Sequence, residues 1–126
     1  MSDDTLQIEL VAADRVVWSG QASQVIARTV EGDLGVLPNH SPLLSLLVPG
    51  VVEITPTEGA PFRASVGDGF LSVADNHVSI LSEDAFLDSE IDLAAAKADL
   101  AAAEGADDVD AARVAEARIR TVEKTS

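Results

Sequence analysis

Few residues of this chain could do chemistry, and none falls in a pattern that chemistry requires. The two histidines, His40 and His77, are far apart, and neither has the H-x-x-H or H-E-x-x-H spacing that sets two imidazoles on one metal ion. Asp107-Asp108-Val109-Asp110 offers three carboxylates. It lacks the loop glycine and terminal glutamate of a calcium loop, so helix capping is the simpler reading. Gly67-Asp68-Gly69 does not extend to G-x-G-x-x-G and reads as a turn or bulge rather than a phosphate cradle. Asn39-His40-Ser41 has the form of a glycosylation sequon without a secretory signal to support it. Cysteine is absent, which removes disulfides, a thiol nucleophile and any Cys-based zinc site. No catalytic residue and no metal site are expected, and the chain reads as a non-enzyme.

Composition narrows the partners. The 126 residues carry 22 acids against 8 Lys and Arg, for a formal charge of −14. Nucleic acid and anionic lipid, both of which need clustered basic residues, are therefore not expected partners. Residues 47% hydrophobic are too many for a disordered chain. The aromatics are only Trp18, Phe62, Phe70 and Phe86, so the core must come from Val, Leu, Ile and Ala. The longest apolar stretch, Leu43–Val52, is broken by Ser45, Pro49 and Gly50 and falls short of the ~20 residues of a spanning helix. Direct membrane insertion is not expected. Met1-Ser2-Asp3-Asp4 is unlike a signal or transit peptide, which points to the cytosol.

The elements that position these residues change character near residue 87. Every proline, and every glycine but Gly105, precedes that point, and the remainder is rich in alanine. Proline and glycine punctuate short strands, whereas alanine is the best helix former. Leu6-Gln7-Ile8-Glu9-Leu10 alternates as a half-buried strand does. Val16–Trp18, Val25–Ala27, Val51–Ile54, Phe70–Val73 and His77–Leu81 are similar short runs, and Asp75-Asn76 between the last two suits a hairpin turn. The expected fold is α+β in sequence blocks. An antiparallel β-sandwich of ~10 short strands over residues 1–86 is followed by a two-helix antiparallel hairpin over 87–126.

In the hairpin, Ser89 and Asp92 resemble a capping box, so the first helix is expected from about Glu90 to Glu104, with Gly105 as a left-handed stop. Asp107 or Asp108 then caps a second helix running to about Glu123. Ile91, Ala95, Ala98 and Ala102 fall on one face of the first helix, and Ala112, Ala115, Ile119 and Val122 on one face of the second. Alanine faces bury little area, so the hairpin is expected to be weakly held. Glu83–Asp110 holds ten acids and one base, Lys97, while Arg113, Arg118, Arg120 and Lys124 gather in the second helix. Arg113, Arg120 and Lys124 share a face, either a solvated one with i,i+3 and i,i+4 pairs or a basic strip for an acidic partner.

The most specific stretch is Glu31–Ile54, E-G-D-L-G-V-L-P-N-H-S-P-L-L-S-L-L-V-P-G-V-V-E-I. It resembles the epsilon subunit of F-type rotary ATP synthases, whose pattern there is close to E-G-x-[LI]-G-[IV]-L-P-x-H-[AS]-P-L-L and then x-P-G. Gly69-Phe70-Leu71-Ser72-Val73, Val78-Ser79-Ile80-Leu81 and Glu90-Ile91-Asp92 match further along, so the resemblance covers essentially the whole chain. It implies a rotor subunit of the central stalk, peripheral on the cytoplasmic face of the plasma membrane, that couples rotation of the c-subunit ring to the catalytic head through the gamma subunit. It also implies a hairpin that folds down on the sandwich or extends toward the catalytic alpha and beta subunits, blocking ATP hydrolysis when extended.

On this resemblance Glu31, Asp33 and His40 are expected at one end of the sandwich against the rotor ring. Gly32 and Gly35 would permit the turn, and Pro38 and Pro42 would stiffen the loop. Arg113, Arg118 and Arg120 are expected to meet the catalytic subunits. Some bacterial members bind ATP through Ile-Asp-x-x-Arg-Ala. Here Ile91 and Asp92 remain, but Ala95 stands where the arginine belongs. The loss of a charge-assisted contact, worth about 1.5–3 kcal/mol, leads to the expectation of no cofactor and weak or absent ATP binding. The alternatives from the residues alone are a free-standing β-sandwich for a small ligand with a helical dimerisation tail, and a small hydrolase using a carboxylate pair.

Overall fold

Alternation of apolar and polar residues sets the strands, and the computed structural model describes residues 5–123. In chain order they are β1 (Leu6–Val11), β2 (Val16–Thr29), β3 (Gly32–Val36), β4 (Leu43–Leu47), β5 (Gly50–Pro56), β6 (Phe62–Val66), β7 (Gly69–Ala74), β8 (His77–Ser82) and β9 (Ala85–Leu87). A 3-10 turn at Asp88–Glu90 leads to α1 (Leu93–Gly105) and α2 (Val109–Glu123). Met1–Asp4 and Lys124 lie outside the described residues.

The strands hydrogen-bond in the order β1-β8-β7-β4-β2-β5-β6-β9, with β3 beside β2 and a further β1–β2 pairing. The long β2 joins the two layers of the sandwich: its first half pairs with β1 and its second half with β3, β5 and the end of β4. All pairings are antiparallel except β1 with β8. That exception needs no helical crossover, because the rest of the sandwich lies between the two strands in sequence. Leu6, Ile8, Leu10, Val25, Val52, Ile54, Leu71 and Ile80 are fully buried between the layers. Each contributes about 1.5–3 kcal/mol relative to exposure. Trp18 closes one side edge-to-face on Phe62, ring centroids 5.1 Å apart. The core cluster runs from Leu6 to Ala85 and contains no residue of α1 or α2.

Turn chemistry agrees with its residues at two places. Asp75 and Asn76 have φ of 51° and 63°, the left-handed pair of a type I′ hairpin between β7 and β8. Gly32 has φ 111° in the β2–β3 turn, where an L side chain would be strained. Gly35 has no such role. It lies within β3 opposite Ile26 with open space where a Cβ would be.

The hairpin differs from the sequence expectation in its boundaries and faces. α1 starts at Leu93, because Ile91 is extended and Asp92 is the cap, its carboxylate accepting the Ala95 N–H at 3.1 Å. Glu90 instead serves the linker, accepting the Leu87 N–H at 2.9 Å. Asp107, at φ 56°, takes the left-handed position expected of Gly105. The Asp108 N–H reaches Ala103 O and the Asp107 N–H reaches Glu104 O, the closing pattern of a helix C-terminus. Asp108 caps α2 through the Ala111 N–H.

The buried face of α1 is Ala96 and Ala103, flanked by half-buried Leu93 and Leu100. Ala95, Ala98 and Ala102 are exposed, because α1 turns its leucines inward and an all-alanine face gives no competing preference. α2 lies between α1 and the outer surface of β5 and β6. It therefore buries a second stripe, Ala117 and Thr121, beside the expected Ala115.

Candidate functional site

Three surfaces could engage partners. The first is an apolar row across the outer face of β4, β7, β8 and β1. Leu46 stands opposite Phe70, Phe70 opposite Leu81, and Leu81 opposite Val11. Leu44 lies two residues along β4. Leu44 is 71% exposed, Leu46 52%, Phe70 48% and Leu81 48%. Exposed leucines scattered singly need no explanation, but a contiguous apolar patch marks an interaction site. Sequence reasoning missed these residues. The signal was present in Leu43-Leu44-Ser45-Leu46-Leu47, a strand apolar on both faces in a sheet that has only one core face to fill.

The second surface contains the residues expected at the rotor ring, and the structure divides them. Glu31 sits in the β2–β3 turn. There Thr29 Oγ1 donates to Gly32 O at 2.8 Å and accepts the Glu31 N–H at 3.2 Å. Asp33 pairs across the strands with Arg28 at 4.0 Å. His40 lies beyond the opposite end of β3, beside the β7–β8 turn. Pro38 and Asn39 (φ 69°) turn the chain, with the His40 N–H on Leu37 O at 3.2 Å. The Asn39 N–H donates to Asn76 Oδ1 at 2.6 Å, and His40 Nδ1–H donates to the Ser41 carbonyl at 2.7 Å. Strand length carries His40 away from Glu31 and Asp33. The two acids and the histidine therefore do not form one contact end.

The third surface is where the hairpin meets the sandwich. The three arginines of α2 do not form one strip. Arg113 and Arg120, seven positions apart, share the exposed face. Arg118 turns inward instead. Its Nη2 donates to both carboxylate oxygens of Asp84 at 2.7 Å, and its guanidinium lies 4.9 Å from the centre of the Phe86 ring. Arg120 lines a small groove with Ile26, Arg28, Asp33, Val51 and Glu53, so it sits with Asp33 in the docked form. Ile91, Asp92 and Ala95 line a cavity of about 100 Å³ with Phe86, Glu90, Ala96, Asp99 and Arg118. That is below the ~300 Å³ at which ligand pockets begin. Among the described residues no group of three or more His, Asp or Glu is placed to hold a metal ion, and no helix is long and apolar enough to cross a membrane.

A family model, the ATP synthase delta/epsilon chain beta-sandwich domain, matches residues 5–88. An ATP synthase epsilon chain of Streptomyces avermitilis is 49% identical over 117 residues, covering 93% of this chain and 94% of that protein. The chain belongs to the ATP synthase epsilon-chain family. A Rhodococcus jostii ATP synthase epsilon chain is 50% identical over 120 residues, covering 94% and 97%. The family fold extends to distant relatives: a chain of the Euglena gracilis mitochondrial ATP synthase (OSCP/F1/c-ring) superposes with TM-score 0.73 at 24% identity, over 97% of this chain and 79% of that one. As an epsilon-family chain it is a subunit of a larger machine, in place of the free-standing ligand-binding module that the residues alone left open.

Proposed function

We propose that the chain is the central-stalk subunit that couples the rotor ring of c subunits to the catalytic head through gamma, and that its hairpin restrains ATP hydrolysis. The observation that supports coupling is the uncovered apolar row Leu44, Leu46, Phe70 and Leu81 on one layer, while the hairpin covers the other layer. A large apolar partner surface such as a gamma subunit fits that row without displacing the hairpin. On this reading Glu31 and Asp33, at the β2–β3 end, face the polar loops of the rotor ring. His40, at the opposite end, stiffens the β3–β4 loop. The subunit works peripherally on the cytoplasmic face of the membrane.

The restraint rests on construction. The sandwich core is complete without α1 and α2, and the hairpin buries mainly alanine, at about 0.8 kcal/mol per methyl group. Such an element has two accessible positions that a partner can bias. In the extended position Arg113 and Arg120 are the exposed cations available to acidic surfaces of the catalytic alpha and beta subunits. Removing everything after Asp88 is expected to leave a folded sandwich that still assembles and to raise ATP hydrolysis by the complex several-fold. Assembly with unchanged hydrolysis would remove the inhibitory part of the proposal.

No nucleotide is needed for either role. Ala95 supplies no cation, Asp92 is occupied as the α1 cap, and Arg118 is held by Asp84. Glu90, Asp92 and Asp99 around the cavity would repel a polyanion. Calorimetric titration of the chain with ATP is expected to show no binding at low micromolar concentration. Saturation in that range would overturn this part.

A further inference from the structure

Two guanidinium groups lie over the Phe86 ring, and their anchors differ. Arg15, from the β1–β2 turn, lies 5.6 Å from the ring centre. It bonds Glu90 at 3.1 Å and the Ala85 carbonyl at 3.2 Å. These contacts tie the linker to the sandwich as far as Glu90, and the extended Ile91 and the cap residue Asp92 follow before α1. The second guanidinium, that of Arg118, arrives from α2. Its Nη2 holds Asp84 of the sandwich, and its Nη1 lies 3.7 Å from Asp99 of α1. Asp99 belongs to the hairpin and travels with Arg118, since α1 and α2 pack on each other and Lys97 and Glu123 pair across them at 3.7 Å.

We propose that Arg118 is an exchangeable latch: it holds the hairpin down through Asp84 and Phe86, and passes its charge to Asp99 when the hairpin leaves. Three observations carry this. The Asp84 bonds are short and charge-assisted, and the side chains are 23% and 28% exposed, so they hold firmly while made. Asp99 is 61% exposed and just beyond hydrogen-bond distance, so it is a reserve partner. Arg118 Nε is buried without a hydrogen-bond partner in the docked form, so the docked state leaves one guanidinium donor unused, which weakens its net hold. Release therefore does not strand a buried cation. This rests on the reading of the hairpin as a movable element, and the test below reads hairpin position rather than hydrolysis, so the two can fail separately.

Because native cysteine is absent, spin labels can be placed on the full chain at Glu58→Cys and Ala106→Cys, and the docked fraction read from pulsed electron–electron distances. Added salt screens the latch and is expected to release the hairpin. At the salt concentration giving equal docked and undocked populations, Asp84→Asn is expected to lower the docked-to-undocked ratio about tenfold. Asp99→Asn is expected to raise it about two- to threefold, because it weakens the reserve partner. Opposite signs support exchange. Both substitutions lowering the ratio would make Arg118 a plain structural tie and overturn the proposal, as would a hairpin that stays docked at every salt concentration. Asp99 is exposed, so its variant reads out even if Asp84→Asn compromises folding.

Discussion

Replacing Phe70 by Asp is expected to weaken binding of the chain to gamma, the partner proposed for this face, by roughly 100-fold, about 3 kcal/mol, while leaving its unfolding midpoint nearly unchanged. Phe70 stands at the centre of the apolar row, between Leu46 and Leu81, and is 48% exposed. A central aromatic ringed by aliphatic side chains is the arrangement in which interface energy concentrates. A carboxylate there would be buried without a partner in the complex, yet would rest in water in the free chain. Affinity for purified gamma, measured by calorimetry beside a urea melt of the free variant, checks both halves. Unchanged affinity would move the docking face elsewhere. Lost affinity with lost folding would show that Phe70 belongs to the core.

The largest effect on the fold is expected one residue earlier. A Cβ on Gly69 would overlap the Leu81 carbonyl oxygen and lie 2.9 Å from the Leu81 carbonyl carbon and Ser82 Cα. The obstacle is backbone of the paired strand, which cannot rotate away as a side chain can, so Gly69→Ala is expected to cost about 3 kcal/mol or more. Gly35→Ala is the control. No atom lies within 4 Å of its Cβ position and its φ is not in the left-handed range, so it is expected to change stability by less than about 0.5 kcal/mol. Urea denaturation of the two variants compares them directly, and equal midpoints would refute the argument. Displacing β8 at this point would also disturb Phe70 and Leu81, so Gly69→Ala is expected to impair docking as well, in contrast to Gly35→Ala.

Much of the strand architecture was legible because strand and turn rules are local. Alternation in Leu6–Leu10 reports one buried face, and Asp75-Asn76 can adopt the left-handed pair that a tight hairpin needs. The hairpin was legible as two helices but not in its faces. With alanine at so many positions of α1, period alone could not choose between the stripe of Ala95, Ala98 and Ala102 and that of Leu93, Ala96, Leu100 and Ala103. Contact with α2 decided it. The left-handed stop at Asp107 rather than Gly105 was missed for a similar reason, since either residue can take that conformation.

By itself the sequence determined the class of the protein. The block order of strands and helices fixes the fold class, and the motif from Glu31 to Ile54 carries the likeness to the epsilon-chain family. Those features depend on residue type and local spacing. Only the tertiary structure decided which residues act together. Strand length separated His40 from Glu31 and Asp33, helical period turned Arg118 away from Arg113 and Arg120, and cross-strand register aligned Leu46, Phe70 and Leu81 into one surface. Each of these is a relation between segments distant in sequence. It is set by register and packing between elements, which no local pattern contains.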